Sequence, residues 1–131
     1  MIRALEVGIS PQPPFTVKGG AEGYTALWIG IKLPKEELER RIEQRLNEWF
    51  ERGLIEETKK LPNPERFGLA YTAIAKYLKG DIDEVQMRTE ALRSIKQYAK
   101  RQMTWFKKNK NIRWVADARE VKMLAKEWLL V

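Results

Sequence analysis

The chain has 131 residues and a mass of 15.4 kDa, enough for one compact unit spanning 1–131 and short for two independent cores. Hydrophobic residues make up 44% and charged residues 33%, a globular balance that excludes a disordered or fibrous chain. Without cysteine or histidine there are no disulfides, no thiolate chemistry and no imidazole base, so any reaction must use carboxylates, lysine, tyrosine, hydroxyls or a borrowed cation.

Met1 to Ile9 places Ile2, Leu5 and Ile9 at spacings of three and four, which predicts a short amphipathic helix. Ser10 to Gly23, with three prolines and three glycines, reads as a surface loop. Tyr24 to Leu33, rich in aromatic and aliphatic residues, predicts a mostly buried strand. Pro34 suits a first helical turn and Glu36, Glu37 and Glu39 suit its positive end, so a helix is expected up to Arg52 with Gly53 as its stop. Its apolar stripe is Leu38, Ile42, Leu46, Trp49 and Phe50. A further helical segment follows from Leu54 to Leu61, broken at Pro62 and Pro64.

Arg66 to Lys79 predicts another helix ended by Gly80, and Ile82 to about Lys107 a longer one of about 37 Å. Asn109 and Asn111 suit a turn, and Ile112 to Val115 a short strand. Asp117 is placed to cap a last helix carrying Val121, Leu124, Ala125 and Trp128. No apolar run approaches the length needed to cross a bilayer and the N-terminus has no long apolar stretch, so the expected location is the cytoplasm, away from membranes.

The net charge of +7 is concentrated in one window. Between Arg88 and Arg113 nine basic residues face Glu90 alone, and the rest of the chain is close to neutral. At about 100° per residue, Arg93, Lys96, Lys100, Arg101, Thr104, Lys107 and Lys108 share one side of the long helix, opposite Leu92, Ile95, Ala99, Met103 and Phe106. Lysine-rich helix faces are often merely solvated. Here, however, acidic residues are nearly missing, whereas the helix from Pro34 to Arg52 mixes six glutamates with five cations. Unbalanced cations repel one another unless an anion meets them, which points to a polyanionic partner. Tyr98 and Trp105 lie on the border of that face, where a ring can pack or can offer its plane to an unstacked base. Gln102 falls at the middle of the apolar face, where its amide needs a partner in the backbone or in a substrate.

The run Gln97-Tyr98-Ala99-Lys100-Arg101-Gln102-Met103-Thr104-Trp105-Phe106-Lys107, with Trp114 after it, closely resembles the C-terminal signature of tRNA dimethylallyltransferases. Three further blocks match in order. Ile2-Arg3-Ala4-Leu5-Glu6-Val7 resembles the family's helix before its substrate-facing loop, Arg41-Ile42-Glu43-Gln44-Arg45 its Arg-Ile-x-x-Arg helix, and Gly53-Leu54-Ile55-Glu56-Glu57 the turn after it.

The resemblance implies an α/β, mostly helical piece of a P-loop nucleoside-triphosphatase-like fold, with one or two short strands and about five helices. It implies transfer of a dimethylallyl group from dimethylallyl diphosphate to N6 of an adenosine beside the anticodon of tRNA, with magnesium in the complete enzyme. The family's phosphate cradle and catalytic aspartate have no counterpart here: no Gly-x-x-x-x-Gly-Lys-Ser/Thr occurs, and Gly19 to Gly23 lacks the lysine and hydroxyl that touch phosphate and metal. The chain therefore reads as a C-terminal portion, inactive and without metal when alone, with the N-terminal half as a partner.

Carried over by position, Arg45 is expected at the substrate diphosphate, with packing of its stem as the alternative. Lys100, Arg101 and Lys107 are expected at phosphates of the anticodon stem-loop, with Gln102 and Thr104 as hydrogen-bonding groups. Tyr98 and Trp105 join that set, as do Arg66, Tyr71 and Lys96, the last standing where arginine is frequent. Gly68-Leu69-Ala70-Tyr71-Thr72 departs from the family's Gly-Tyr-Arg or Gly-Tyr-Lys, so a contact made by that cation is lost at Thr72. A free-standing RNA-binding module and an inert remnant are the competing readings.

Overall fold

A computed structural model describes the backbone of Leu5–Val7 and residues 26–130. By its own packing the chain falls into two compact units, one built from residues 1–33 with 103–131, the other from 34–102.

The first unit carries a three-stranded sheet in the order β1-β2-β3: β1 (Leu5–Val7), β2 (Leu27–Ile31) and β3 (Arg113–Val115). β1 runs antiparallel to β2 with Leu5 opposite Ile29, and β3 runs parallel to β2 with Ile29 opposite Arg113. This corrects the helix expected over Met1 to Ile9. The three-and-four spacing of apolar residues fits a helix, but Leu5–Val7 pairs across the sheet with β2, a long-range partner that local periodicity does not register. The loop expected over Ser10 to Gly23 lies outside the described residues.

One face of the sheet is covered by α5 (Ala118–Leu130), whose Trp128 is buried against Leu27, Ile29 and Val115, with Val121 and Leu124 beside it. Asp117 caps this helix as expected: its Oδ1 accepts the amides of Arg119 and Glu120, and the Glu120 carboxylate accepts the amide of Ala116. Those two amides hold the Asp117 carboxyl below its ordinary value.

The second unit is helical. α1 (Lys35–Glu51) follows Pro34, buries Ile42 and Leu46, and stops where Gly53 takes a φ of 96°, a left-handed turn that suits a residue without Cβ. α2 (Leu54–Lys60) follows, with its buried Thr58 hydroxyl donating to the Leu54 carbonyl. The helix expected from Arg66 instead starts at Leu69. Pro64–Phe67 forms a 3-10 turn, and Asn63 (φ 53°), Gly68 (φ 65°) and Leu69 (φ 51°) all take left-handed conformations that separate it from α3 (Leu69–Leu78). α4 (Glu84–Phe106) opens on a reciprocal box in which the Gln86 amide donates to Asp83 and the Asp83 amide donates to Gln86. Its residues from Met103 onward count with the first unit.

The core of this unit gathers Leu46, Leu54, Ala70, Ala73, Ile74, Met87 and Ala91, with Leu92 and Ile95 of α4 packed against it. Two of the residues expected on the apolar side of α4, Leu92 and Ile95, therefore turn inward as patterned. No helix among the described residues is long and apolar enough to cross a membrane.

Candidate nucleic-acid interface

Because Leu92, Ile95 and buried Ala99 anchor one side of α4, the residues between them are pushed outward, and Arg93, Lys100 and Arg101 are exposed. Arg101 makes no ion pair among the described residues; its guanidinium carbon lies 5.9 Å from the centre of the Tyr98 ring, itself 41% exposed. The guanidinium thus lies over the ring, and cation and aromatic group share one exposed patch. Gln102 is half-buried, so its amide sits at the margin of the core rather than deep within it.

Arg88 and Lys96 of the basic window are held more closely than the sequence suggests. Arg88 donates to Glu84 and lies 4.4 Å from the centre of the Phe50 ring. Lys96 is half-buried, with its Nζ 3.7 Å from a Glu39 carboxylate oxygen on α1. That pairing across two helices could not be read from α4 alone, and it leaves Lys96 less available to an anion than Arg93 or Arg101.

In the first unit, Thr104, Trp105, Lys107 and Lys108 are exposed at the end of α4. The Trp105 ring is 67% exposed and packs edge-on against Phe106, with centroids 5.0 Å apart and planes at 86°. Phe106 braces the indole while one face stays open to solvent. Lys107 and Lys108 make no ion pair among the described residues.

The remaining expected residues lie in the second unit. Arg45 is exposed on α1 and has no polar partner among the described residues, whereas its neighbours Arg40 and Arg41 both converge on Glu37. These arginines bring the Glu37 carboxyl down to about 2. Arg45 is therefore the arginine of the Arg-Ile-x-x-Arg block without an acidic partner among the described residues. Arg66 is exposed in the 3-10 turn. Tyr71 is already engaged: its hydroxyl donates to Glu57 at 2.8 Å, and this bond pushes the phenol above its usual value. The pair lines an open, mostly apolar cleft of about 410 Å³ with Trp49, Arg52, Leu54 and Leu69. Sequence reasoning missed the cleft, because its lining comes from four helices that only tertiary packing brings together. No group of three or more acidic side chains among the described residues is placed to hold a metal ion.

Comparison with known proteins fits this arrangement. The sequence model of the family described as IPP transferase matches residues 1–109. The chain belongs to the IPP transferase family. A tRNA dimethylallyltransferase of Syntrophomonas wolfei is 35% identical over 96% of the chain and 44% of the relative, and one of Geobacter sulfurreducens 33% identical over 88% and 41%. Among solved structures, a tRNA isopentenylpyrophosphate transferase of Bacillus halodurans superposes with a TM-score of 0.69 and 27% identity, over 76% of this chain and 36% of that one. That of Staphylococcus epidermidis gives 0.67 and 29%, over 81% and 37%. The chain thus spans about two-fifths of the length of the IPP transferases it matches, and the α/β, mostly helical architecture expected from its sequence is the one they share.

Proposed function

We propose that this chain is the C-terminal, RNA-facing portion of a tRNA dimethylallyltransferase, which moves a dimethylallyl group from dimethylallyl diphosphate to N6 of an adenosine beside the anticodon. The observation that carries the reading is the match of 30% or more identity to named tRNA dimethylallyltransferases over nearly the whole chain. Each unit supports it by itself: in the second, Arg93 and Arg101 are unpaired by acids among the described residues, the latter over the exposed Tyr98 ring, and in the first the Trp105 ring is exposed.

In this reading Lys100, Arg101 and Lys107 meet phosphates of the anticodon stem-loop, Gln102 and Thr104 supply hydrogen bonds, and Tyr98 and Trp105 stack on unpaired bases. Arg66 is a peripheral phosphate contact, and Lys96 and Tyr71 support the surface through Glu39 and Glu57. Arg45 clamps the leaving diphosphate. The phosphate cradle, the magnesium that goes with it and the carboxylate that takes the proton from the amine come from an N-terminal half acting in the cytoplasm with this chain. A second reading, which the same exposed cations and rings would serve, is a binding module without transfer activity.

The test is tRNA binding by the 131-residue chain across a salt series. The double change Lys100→Ala and Arg101→Ala should weaken binding and reduce the slope of log affinity against log salt by about 1.5. Unchanged affinity and slope overturn the RNA-facing assignment. Transfer restored on adding the P-loop half separates the first reading from the second.

A further inference from the structure

Residues 103–131 hold seven cations and three carboxylates, and two of those carboxylates, Asp117 and Glu120, are spent capping α5. The cations of α5 are not scattered. At about 100° per residue Arg119, Lys122 and Lys126 lie within about 60° of one another, opposite the side that buries Trp128 against the sheet. All three are exposed, and none makes an ion pair among the described residues, although Arg119 is attracted by the neighbouring Asp117. Arg113 is exposed on β3, on the same face of the sheet as Val115. The cations of α5 lie beyond residues 1–109, the part matched by the family.

We infer that the outward side of α5 is a second phosphate-binding surface for RNA, separate from α4, with Lys122 and Lys126 at its centre. The inference rests on the RNA-facing reading above and extends it to an element that reading does not use. The reason is charge complementarity. A helix whose inner side is fixed in the core gains nothing from three like charges within about 10 Å of one another unless a polyanion meets them. An RNA backbone supplies phosphates at that scale without any demand on base sequence, so this surface adds affinity and register rather than specificity. Met123 and Leu129 are also exposed on α5, which makes an anionic lipid surface the occupant to be tested against.

The experiment uses the full chain, an unmodified tRNA and, separately, phosphatidylglycerol vesicles. The double change Lys122→Ala and Lys126→Ala should lower tRNA affinity and reduce the salt slope by about 1.5, and its effect should add to that of the α4 double change. Lys122→Arg with Lys126→Arg should restore both, because charge is what is required. An unchanged thermal midpoint confirms that the outward substitutions leave the core intact. If the α4 variant weakens tRNA binding and the α5 variant does not, this inference fails while the RNA-facing reading stands. Loss of vesicle binding with tRNA binding intact equally overturns it. If the unaltered chain does not bind tRNA, both fall.

Discussion

The Trp114 ring on β3 closes over Gly30 on β2 so tightly that a Cβ placed on Gly30 would lie 2.6 Å from ring atoms Cε3 and Cζ3, and 2.9 Å from a methyl of Ile112. Both separations are shorter than carbon atoms tolerate, and an indole is too rigid to yield at its middle. Gly30→Ala should therefore destabilise the first unit by about 1–3 kcal/mol. Urea denaturation measures the loss. A second variant, Trp114→Leu, should recover part of it when combined with Gly30→Ala, because the clash rather than strand propensity is responsible.

That contact marks the boundary of what the sequence makes legible. The limits of α1 follow from Pro34 and Gly53, and the inward side of α4 from Leu92 and Ile95, because these depend on local geometry and helical period. The cap at Asp117 is equally local. By contrast, β1, the Lys96–Glu39 pair and the covering of Gly30 each depend on a partner distant in sequence. The late start of α3 has a different origin. Leu69 adopts a φ of 51°, which costs a non-glycine residue about 1–2 kcal/mol, and nothing in its side chain announces that choice. Of the expected site residues, Arg101 and Lys107 are open as periodicity required, Trp105 is exposed although the pattern placed it only at the border of that face, and Lys96 and Tyr71 have acidic partners that periodicity along one helix does not reveal.

The Tyr71–Glu57 hydrogen bond gives a stability term with a defined pH sign. The bond to Glu57, then burial, raise the phenol above its ordinary value of 10.0. Its contribution is fully present below pH 10.0 and is lost as pH rises through the raised folded value. Ultraviolet titration of the phenols should show one tyrosine ionising late, and Tyr71→Phe should remove it. The same change should cost about 0.5–1 kcal/mol at neutral pH and nothing in strong alkali, since the pair is partly open to solvent. A late phenol that survives Tyr71→Phe refutes the assignment.

Glu37 sorts the arginines of α1. Its carboxyl, held at about 2 by Arg40 first and Arg41 next, keeps both guanidiniums occupied at neutral pH. Because the folded value is lowered from 4.5, the stabilisation is present above pH 4.5 and is lost as pH falls towards 2. Carboxyl chemical shifts followed by acid titration should place Glu37 lowest among the glutamates of α1. Arg45 has no such partner among the described residues. In the chain combined with the P-loop half, Arg45→Ala should raise the KM for dimethylallyl diphosphate by tenfold or more and leave tRNA affinity unchanged. Arg40→Ala should change neither. Equal effects from the two substitutions would assign Arg45 to packing.

Trp105 offers a test of stacking apart from charge. Its ring is two-thirds exposed, at 67%, and its edge contact with Phe106 holds the indole in place without covering both faces. A base laid on the open face would gain about 1–3 kcal/mol, so Trp105→Ala should weaken tRNA binding by about 5- to 150-fold. Trp105→Phe should keep much of the affinity, because a smaller plane still stacks. Neither change removes a cation, so the salt slope should stay that of the unaltered chain, in contrast to the lysine and arginine variants. Folding should barely respond, since little of the ring is buried. A large fall in thermal midpoint on Trp105→Ala, with tRNA affinity preserved under folded conditions, would make the ring a packing residue of the first unit and would leave the α4 surface to work by charge alone.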